Sequence, residues 1–213
     1  MKKFLLVLDV DSTMIEQEVI ELLAARVGVG DRVKDLTDKA MAGEMDFRQS
    51  LIQRVELLEG LSDKVFMDLL PEITITRGVP ELINAIQSSG GQVGAISGGF
   101  SQVLEPLALM LGLDFSMANR LEVKDGYLTG QISGDIVDAE MKARAMLHWA
   151  SENGFNAADT VAVGDGANDI PMLKAAGFAV AFRPKEVLRP FADLVIDEDS
   201  LEPVIAALEL RSS

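Results

Sequence analysis

Five short runs dominated by apolar residues, at positions 4–8, 92–96, 160–163, 178–181 and 194–196, alternate with helical patterns at 79–88, 100–111, 141–153, 168–176 and 201–210. A brief apolar run without polar alternation marks a strand buried on both faces. Such strands, separated by helices, build a parallel sheet covered by helices on both sides. The predicted fold is therefore α/β, a doubly wound parallel sheet. Ligands of such sheets sit at the carboxyl ends of the strands. That rule directs attention to Asp9, Ser97 and Gly164-Asp165, each of which closes a predicted strand.

Two segments interrupt the alternation. Residues 16–70 carry only helical periodicity, with Val19, Ile20, Leu22 and Leu23 on the first helix and Gly28 and Gly30 ending it. This segment reads as a helical cap inserted directly after the first strand. Residues 1–15 and 71–213 then form the core. The second interruption is a hairpin flap at 121–132, signalled by Asp125-Gly126 between alternating residues. A chain of 213 residues fits this plan of one domain plus a modest insertion.

Composition excludes several kinds of chemistry. There is no cysteine, so disulfides, thiolate catalysis and iron–sulfur clusters are impossible. With 34 acidic against 19 basic residues the net charge is −15. A surface that negative opposes binding to nucleic acid or to an anionic membrane. The start of the chain imitates a signal peptide, but Asp9 ends its apolar run too early. The expectation is a soluble, unprocessed, cytoplasmic protein acting on a small molecule, with no membrane or nucleic-acid partner. The oligomeric state is not legible.

The candidate chemistry lies at the strand ends. Asp9 and Asp11 stand two apart, and carboxylates that close repel unless a cation, a shared proton or a lysine compensates. A solvated turn also contains such pairs. Gly164-Asp165-Gly166-Ala167-Asn168-Asp169 opens a helix, but it lacks the third glycine of a dinucleotide loop, and Asp165 would repel a pyrophosphate. Mg²⁺ accounts for the carboxylates better, with Asp9, Asp165 and a main-chain carbonyl as its protein ligands. A helix cap at Asn168 is the plainer alternative for that residue. Ser97-Gly98-Gly99 offers main-chain N–H groups and a hydroxyl to an anion at a helix start. A serine triad is disfavoured, because the single histidine, His148, falls within a helical pattern. Lys142 is a surface charge unless the strand order brings it to Asp9.

These residues carry a resemblance. Asp9-Val10-Asp11-Ser12-Thr13, Ser97, Lys142 and Gly164-Asp165-Gly166-Ala167-Asn168-Asp169 resemble the four ordered motifs of the haloacid dehalogenase-like phosphatases. Segments 16–20, 41–47, 49–58, 97–100 and 118–121 are similar to the phosphoserine phosphatases within that superfamily. The resemblance implies Asp9 as nucleophile and Asp11 as general acid and base. It implies Mg²⁺ held by Asp9, the Asp11 main-chain carbonyl and Asp165, with Asp169 supporting. Ser97, Gly98, Lys142 and Asn168 would hold the phosphate of O-phosphoserine. Glu18 would meet its ammonium and Arg54 its carboxylate, with Met41 and Phe47 as apolar cover. Two rivals remain at this point. One is a phosphatase or phosphotransferase for another small phosphomonoester. The other is a phospho-aspartate signalling receiver.

Overall fold

The computed structural model describes residues 2–42 and 44–211, the side chain of Met41 excepted. Four strands form its centre: β1 (Leu5–Leu8), β2 (Gln92–Phe100), β5 (Thr160–Gly164) and β6 (Phe178–Phe182). β3 (Phe115–Lys124), β4 (Tyr127–Ser133) and β7 (Leu194–Ile196) complete a seven-stranded sheet in the order β4-β3-β2-β1-β5-β6-β7. All neighbours run parallel except β3 and β4.

Alternation along β1 explains why its sequence shows no polar face. Leu6 and Leu8 enter one core with residues of α5 (Val79–Ser88), α6 (Ser101–Leu111) and α9 (Glu202–Leu210). Leu5 and Val7 enter a second core with Ala143 and Met146 of α7 (Ala139–Glu152) and Met172 and Leu173 of α8 (Ile170–Ala175). Helices thus cover both faces, as predicted. Strand order reverses between β1 and β5, whose partners are Leu8 and Val163 at the carboxyl end. Asp9 and Asp165 therefore emerge side by side at the crevice where doubly wound sheets hold ligands.

The hairpin is longer than its sequence signal. The first half of β3 pairs parallel with β2, and only its second half turns back against β4. Gly28 follows the first inserted helix with φ +72°, but Gly30 opens the second helix rather than ending the first.

Among the described residues, four α-helices lie between β1 and α5: α1 (Val19–Arg26), α2 (Gly30–Met41), α3 (Phe47–Glu56) and α4 (Val65–Leu69). The chain enters and leaves them through a short antiparallel bridge between Ile15 and Ile75. Glu16 N–H donates to Thr74 O, and Gln17 continues the pairing with its side chain, accepting from Thr74 N–H and donating to Glu72 O. Further on, residues 60–63 bond to the hairpin through Gly60 N–H to Leu128 O and Leu128 N–H to Leu61 O. Among the described residues, no helix is long and apolar enough to cross a membrane.

Burial separates the energetic weight of similar side chains. Leu6 is fully buried in β1, whereas Met67 of α4 is 77% exposed. Leu6→Ala is expected to cost about 2–5 kcal/mol in urea unfolding, and Met67→Ala to stay within about 0.5 kcal/mol.

Candidate active site

The turn after β1 is built tightly. Met14 N–H bonds to Asp9 O and Ile15 N–H to Val10 O, so the residues from 10 to 14 wind into one wide turn. Ser12 pays for it with φ +57°, a left-handed conformation that costs a non-glycine residue on the order of 1 kcal/mol or more. The result presents Asp9 and Asp11, both buried, to the crevice.

Lys142 is not on the surface. Asp138 caps α7 by accepting from Met141 N–H, which sets Lys142 in the first turn of that helix. Its ammonium is wholly buried and donates to Asp9 Oδ1 at 2.5 Å and Asp169 Oδ1 at 2.8 Å. Burial alone would push its pKa down, but the Asp169 and Asp9 carboxylates overturn that and hold it above the ordinary lysine value. The other Asp169 oxygen accepts from Asp165 N–H and Gly166 N–H. Asp169 can come this close only because residue 164 is glycine: a Cβ there would stand 2.4 Å from its carboxyl group.

The carboxylates outnumber the lysine. Oxygens of Asp9, Asp165 and Asp169 lie within 4.8 Å of one another. At that separation each charged pair repels by about 3 kcal/mol for an effective dielectric near 20. Burial, then the Asp169 charge, push Asp9 up to about 7 despite Lys142. Burial, Asp9 and Asp169 push Asp165 well above the usual carboxylate range. Asp165 Oδ1 is buried and accepts no hydrogen bond from any described residue. A converging set of hard oxygens with one such oxygen left over fits a divalent cation. The donor set is that of an oxygen-loving metal, with Asp169 already committed to Lys142 and the loop.

The remaining expected residues surround one cavity. Asp9, Asp11, Glu18, Phe47, Arg54, Gly98 and Asn168 line about 370 Å³ of atom-free space, with Ile20 and Leu51 as apolar wall. Asp11 is held at both oxygens: Val19 N–H of α1 donates to Oδ1 and the Ser97 hydroxyl to Oδ2, each at 2.8 Å. The Ser97 hydroxyl thus faces the acid, and it also accepts from Gly99 N–H. Asn168 is buried with its Oδ1 unpartnered among the described residues. The Phe47 ring closes over Gly98, where a Cβ would meet it at 2.5 Å. Met41 ends α2, and its side chain lies outside the described residues. His148 is exposed on α7.

Glu18 and Arg54 both line the cavity without pairing. Glu18 accepts from the Ser12 hydroxyl at 2.7 Å. Burial, then the Asp11 charge, push it up to about 8. Arg54 is 4% exposed and forms no ion pair among the described residues. Burial pulls its pKa below the usual guanidinium value, against the raising effect of Glu18, Asp11 and Glu21.

Sequence reasoning passed over two groups here. Ser12 supplies the hydroxyl that holds Glu18, and its place in an Asp-x-Asp-Ser-Thr turn was the available signal. Arg183, at φ +40° after β6, donates to Glu16 Oε2 at 2.7 Å and reaches Ser12 O at 3.5 Å. Nothing local in the sequence points from β6 to the first turn.

Comparison with known proteins follows this geometry. The haloacid dehalogenase-like hydrolase family matches residues 6–174. A phosphoserine phosphatase of Streptococcus thermophilus is 45% identical over 207 residues, covering 97% of this chain and 96% of its own. A solved phospho-aspartyl intermediate analogue of phosphoserine phosphatase superposes with a TM-score of 0.93 at 40% identity, covering 97% of this chain and 99% of its own. A substrate-bound phosphoserine phosphatase complex superposes equally well. The chain belongs to the haloacid dehalogenase-like hydrolases, and within them to the phosphoserine phosphatases. The receiver alternative falls outside this family.

Two measurements test the site directly. A saturating divalent cation at ~100 times its Kd is expected to stabilise the fold by about 2.7 kcal/mol. The gain should grow as pH rises through about 7, because protons on the raised Asp9 compete with the metal. Thermal melts with and without Mg²⁺ check this, and Asp165→Asn should remove the gain. Separately, burial and the Asp11 charge push Glu18 up to about 8, so its negative charge, and any pull on an ammonium, would grow as pH rises through that value. Serine affinity by calorimetry is expected to rise as pH passes through that value, until the ligand's own amine deprotonates. Glu18→Gln should flatten the profile.

Proposed function

We propose that the chain hydrolyses O-phosphoserine to serine and inorganic phosphate through an aspartyl-phosphate on Asp9, with Mg²⁺ as the metal. The observation that carries this reading is the cavity itself. Its lining brings together the Asp9–Asp11 pair, which buried Lys142 joins through Asp9, and the side chains of Glu18 and Arg54. The first group suits a phosphoryl group, and the second suits an α-amino acid.

Lys142 holds Asp9 Oδ1, leaving the other carboxylate oxygen to attack phosphorus. The bond from phosphorus to the serine oxygen breaks as the new bond to Asp9 forms. Asp11 serves as the general acid and delivers a proton to the departing oxygen. Its orientation is set by Val19 N–H and Ser97. In the second half, Asp11 takes a proton from water as the water oxygen attacks phosphorus and the bond to Asp9 breaks. Gly98 N–H, Ser97, Lys142 and Asn168 are the groups we assign to the phosphate oxygens.

Mg²⁺, bound by Asp9, Asp165 and the Asp11 main-chain carbonyl, would neutralise charge shared by phosphate and nucleophile. Residues 16–70 act in this reading as a cap over the site, with Phe47 excluding water above Gly98. Glu18 and Arg54 read the amino-acid end, Arg54 through the planar fork that matches a carboxylate.

Three substitutions test the assignment. Asp9→Asn is expected to abolish both turnover and the phosphate trapped on the enzyme in quenched-flow mass spectrometry. Asp11→Asn should keep metal binding and slow turnover by roughly 10²–10⁴-fold. Arg54→Ala should cut kcat/KM for O-phosphoserine by roughly 30- to 1,000-fold, the size expected for unpairing a desolvated charge. Hydrolysis of p-nitrophenyl phosphate, which has no carboxylate, should change far less. An equal loss on both substrates would overturn the substrate assignment.

A further inference from the structure

We infer that Thr37 is a positioning residue for Arg54 and so helps to set which phosphomonoester the enzyme prefers, an inference that rests on Arg54 as partner of the substrate carboxylate. Thr37 lies on α2 and is 3% exposed. Its hydroxyl hydrogen is committed to Val33 O, one turn back at 3.0 Å. The oxygen then has only acceptor capacity left, and Arg54 Nη1 donates to it at 3.0 Å.

Arg54 lies on the neighbouring helix α3, where its Nε donates to Ser50 O at 3.3 Å. Two nitrogens of the planar guanidinium are thus held by two different helices, which fixes both its position and its plane. Nη2 donates to nothing among the described residues, and the side chain lines the cavity. The helix pair is itself pinned beside this contact, since the buried Ser50 hydroxyl donates to Leu36 O at 2.9 Å.

The choice of a hydroxyl matters electrically. A carboxylate at position 37 would orient the guanidinium and also neutralise it. Thr37 and Ser50 O orient it and leave its charge undiminished for a carboxylate in the cavity. A long side chain with several rotamers loses freedom when it binds, and prior fixation removes that cost from the binding step. Thr37 does not line the cavity, so it acts only through Arg54.

Steady-state kinetics on the full chain with Mg²⁺ tests this, using O-phosphoserine and p-nitrophenyl phosphate. Thr37→Val keeps the shape and removes the acceptor. It is expected to raise KM for O-phosphoserine by roughly 10- to 100-fold, the range for a lost hydrogen bond to a charged group. Both kcat and the constants for p-nitrophenyl phosphate should hold within about threefold. Thr37→Ser should restore the parent KM, and Thr37→Val added to Arg54→Ala should change nothing further. If valine does not fold at this site, Thr37→Ala makes the same comparison. An unchanged KM, equal losses on both substrates, or a further loss in the Arg54→Ala background would overturn the inference. A selective Arg54→Ala with an unselective Thr37→Val removes only Thr37 from the account. An unselective Arg54→Ala removes the substrate assignment beneath it.

Discussion

The ammonium of Lys142, buried between Asp9 and Asp169, is the contact on which the rest of the site depends. Burying a cation is costly unless it is paired and fully hydrogen-bonded. Each element around it is arranged to meet that condition. The β1–β5 pairing sets Asp9 beside Asp165, and Gly164 lets Asp169 fold back over the strand end. The Asp138 cap starts α7 where its first turn faces the strand ends. Yet one lysine faces Asp9, Asp11, Asp165 and Asp169, and burial, with the neighbouring carboxylates adding to it, raises Asp9 and Asp165 above the usual carboxylate range. A site so unbalanced is organised to take up positive charge. The same imbalance makes metal uptake and proton release a single equilibrium.

The inserted helices touch the chemistry at several points. Val19 N–H at the start of α1 donates to Asp11, and the Phe47 ring rests on Gly98. Arg48 of α3 pairs with Asp138, the cap of the helix that carries Lys142, at 2.9 Å. Asp138 is held below the usual carboxylate range by Met141 N–H and Arg48, against a desolvation penalty in the opposite direction. A displacement of these helices would therefore release the acid, uncover the glycine loop and loosen the start of α7 together. The bonds between residues 60–63 and the hairpin tie the far end of the insertion to the sheet. In the proposed cap reading, closure would fall to α1, α2 and α3, which carry Val19, Thr37 and Arg54.

The central strands were legible because burial on both faces leaves no room for polar alternation. β7, at 194–196, has the bounds its sequence pattern indicates. The start of β3 was not legible, since Phe115-Ser116-Met117-Ala118-Asn119-Arg120 mixes exposed, half-buried and buried positions and shows no clean period. Lys142 on its own reads as surface charge, because a sequence does not state that the first turn of α7 lies against the end of β1. Only the order of four motifs made its place an expectation. Thr37 and Arg183 gave no warning: each matters through hydrogen bonds to residues distant in the sequence, and such bonds leave no periodicity.

The two buried cations of the site are treated in opposite ways, and the difference explains how so acidic a protein can take a phosphorylated anion. Lys142 gives two of its three N–H donors to carboxylates, so most of its charge is spent on organising Asp9 and Asp169. Arg54 is held by a hydroxyl and a main-chain carbonyl, neutral groups that leave its charge intact. Bulk salt screens the negative surface beyond ~8 Å, whereas a desolvated guanidinium a few ångströms from the cavity is screened much less. In the proposed substrate reading, recognition of a carboxylate depends less on net charge than on the neutrality of the groups hydrogen-bonded to Arg54. A carboxylate introduced beside Arg54 would quench it, even though the new contact would look like an added ion pair.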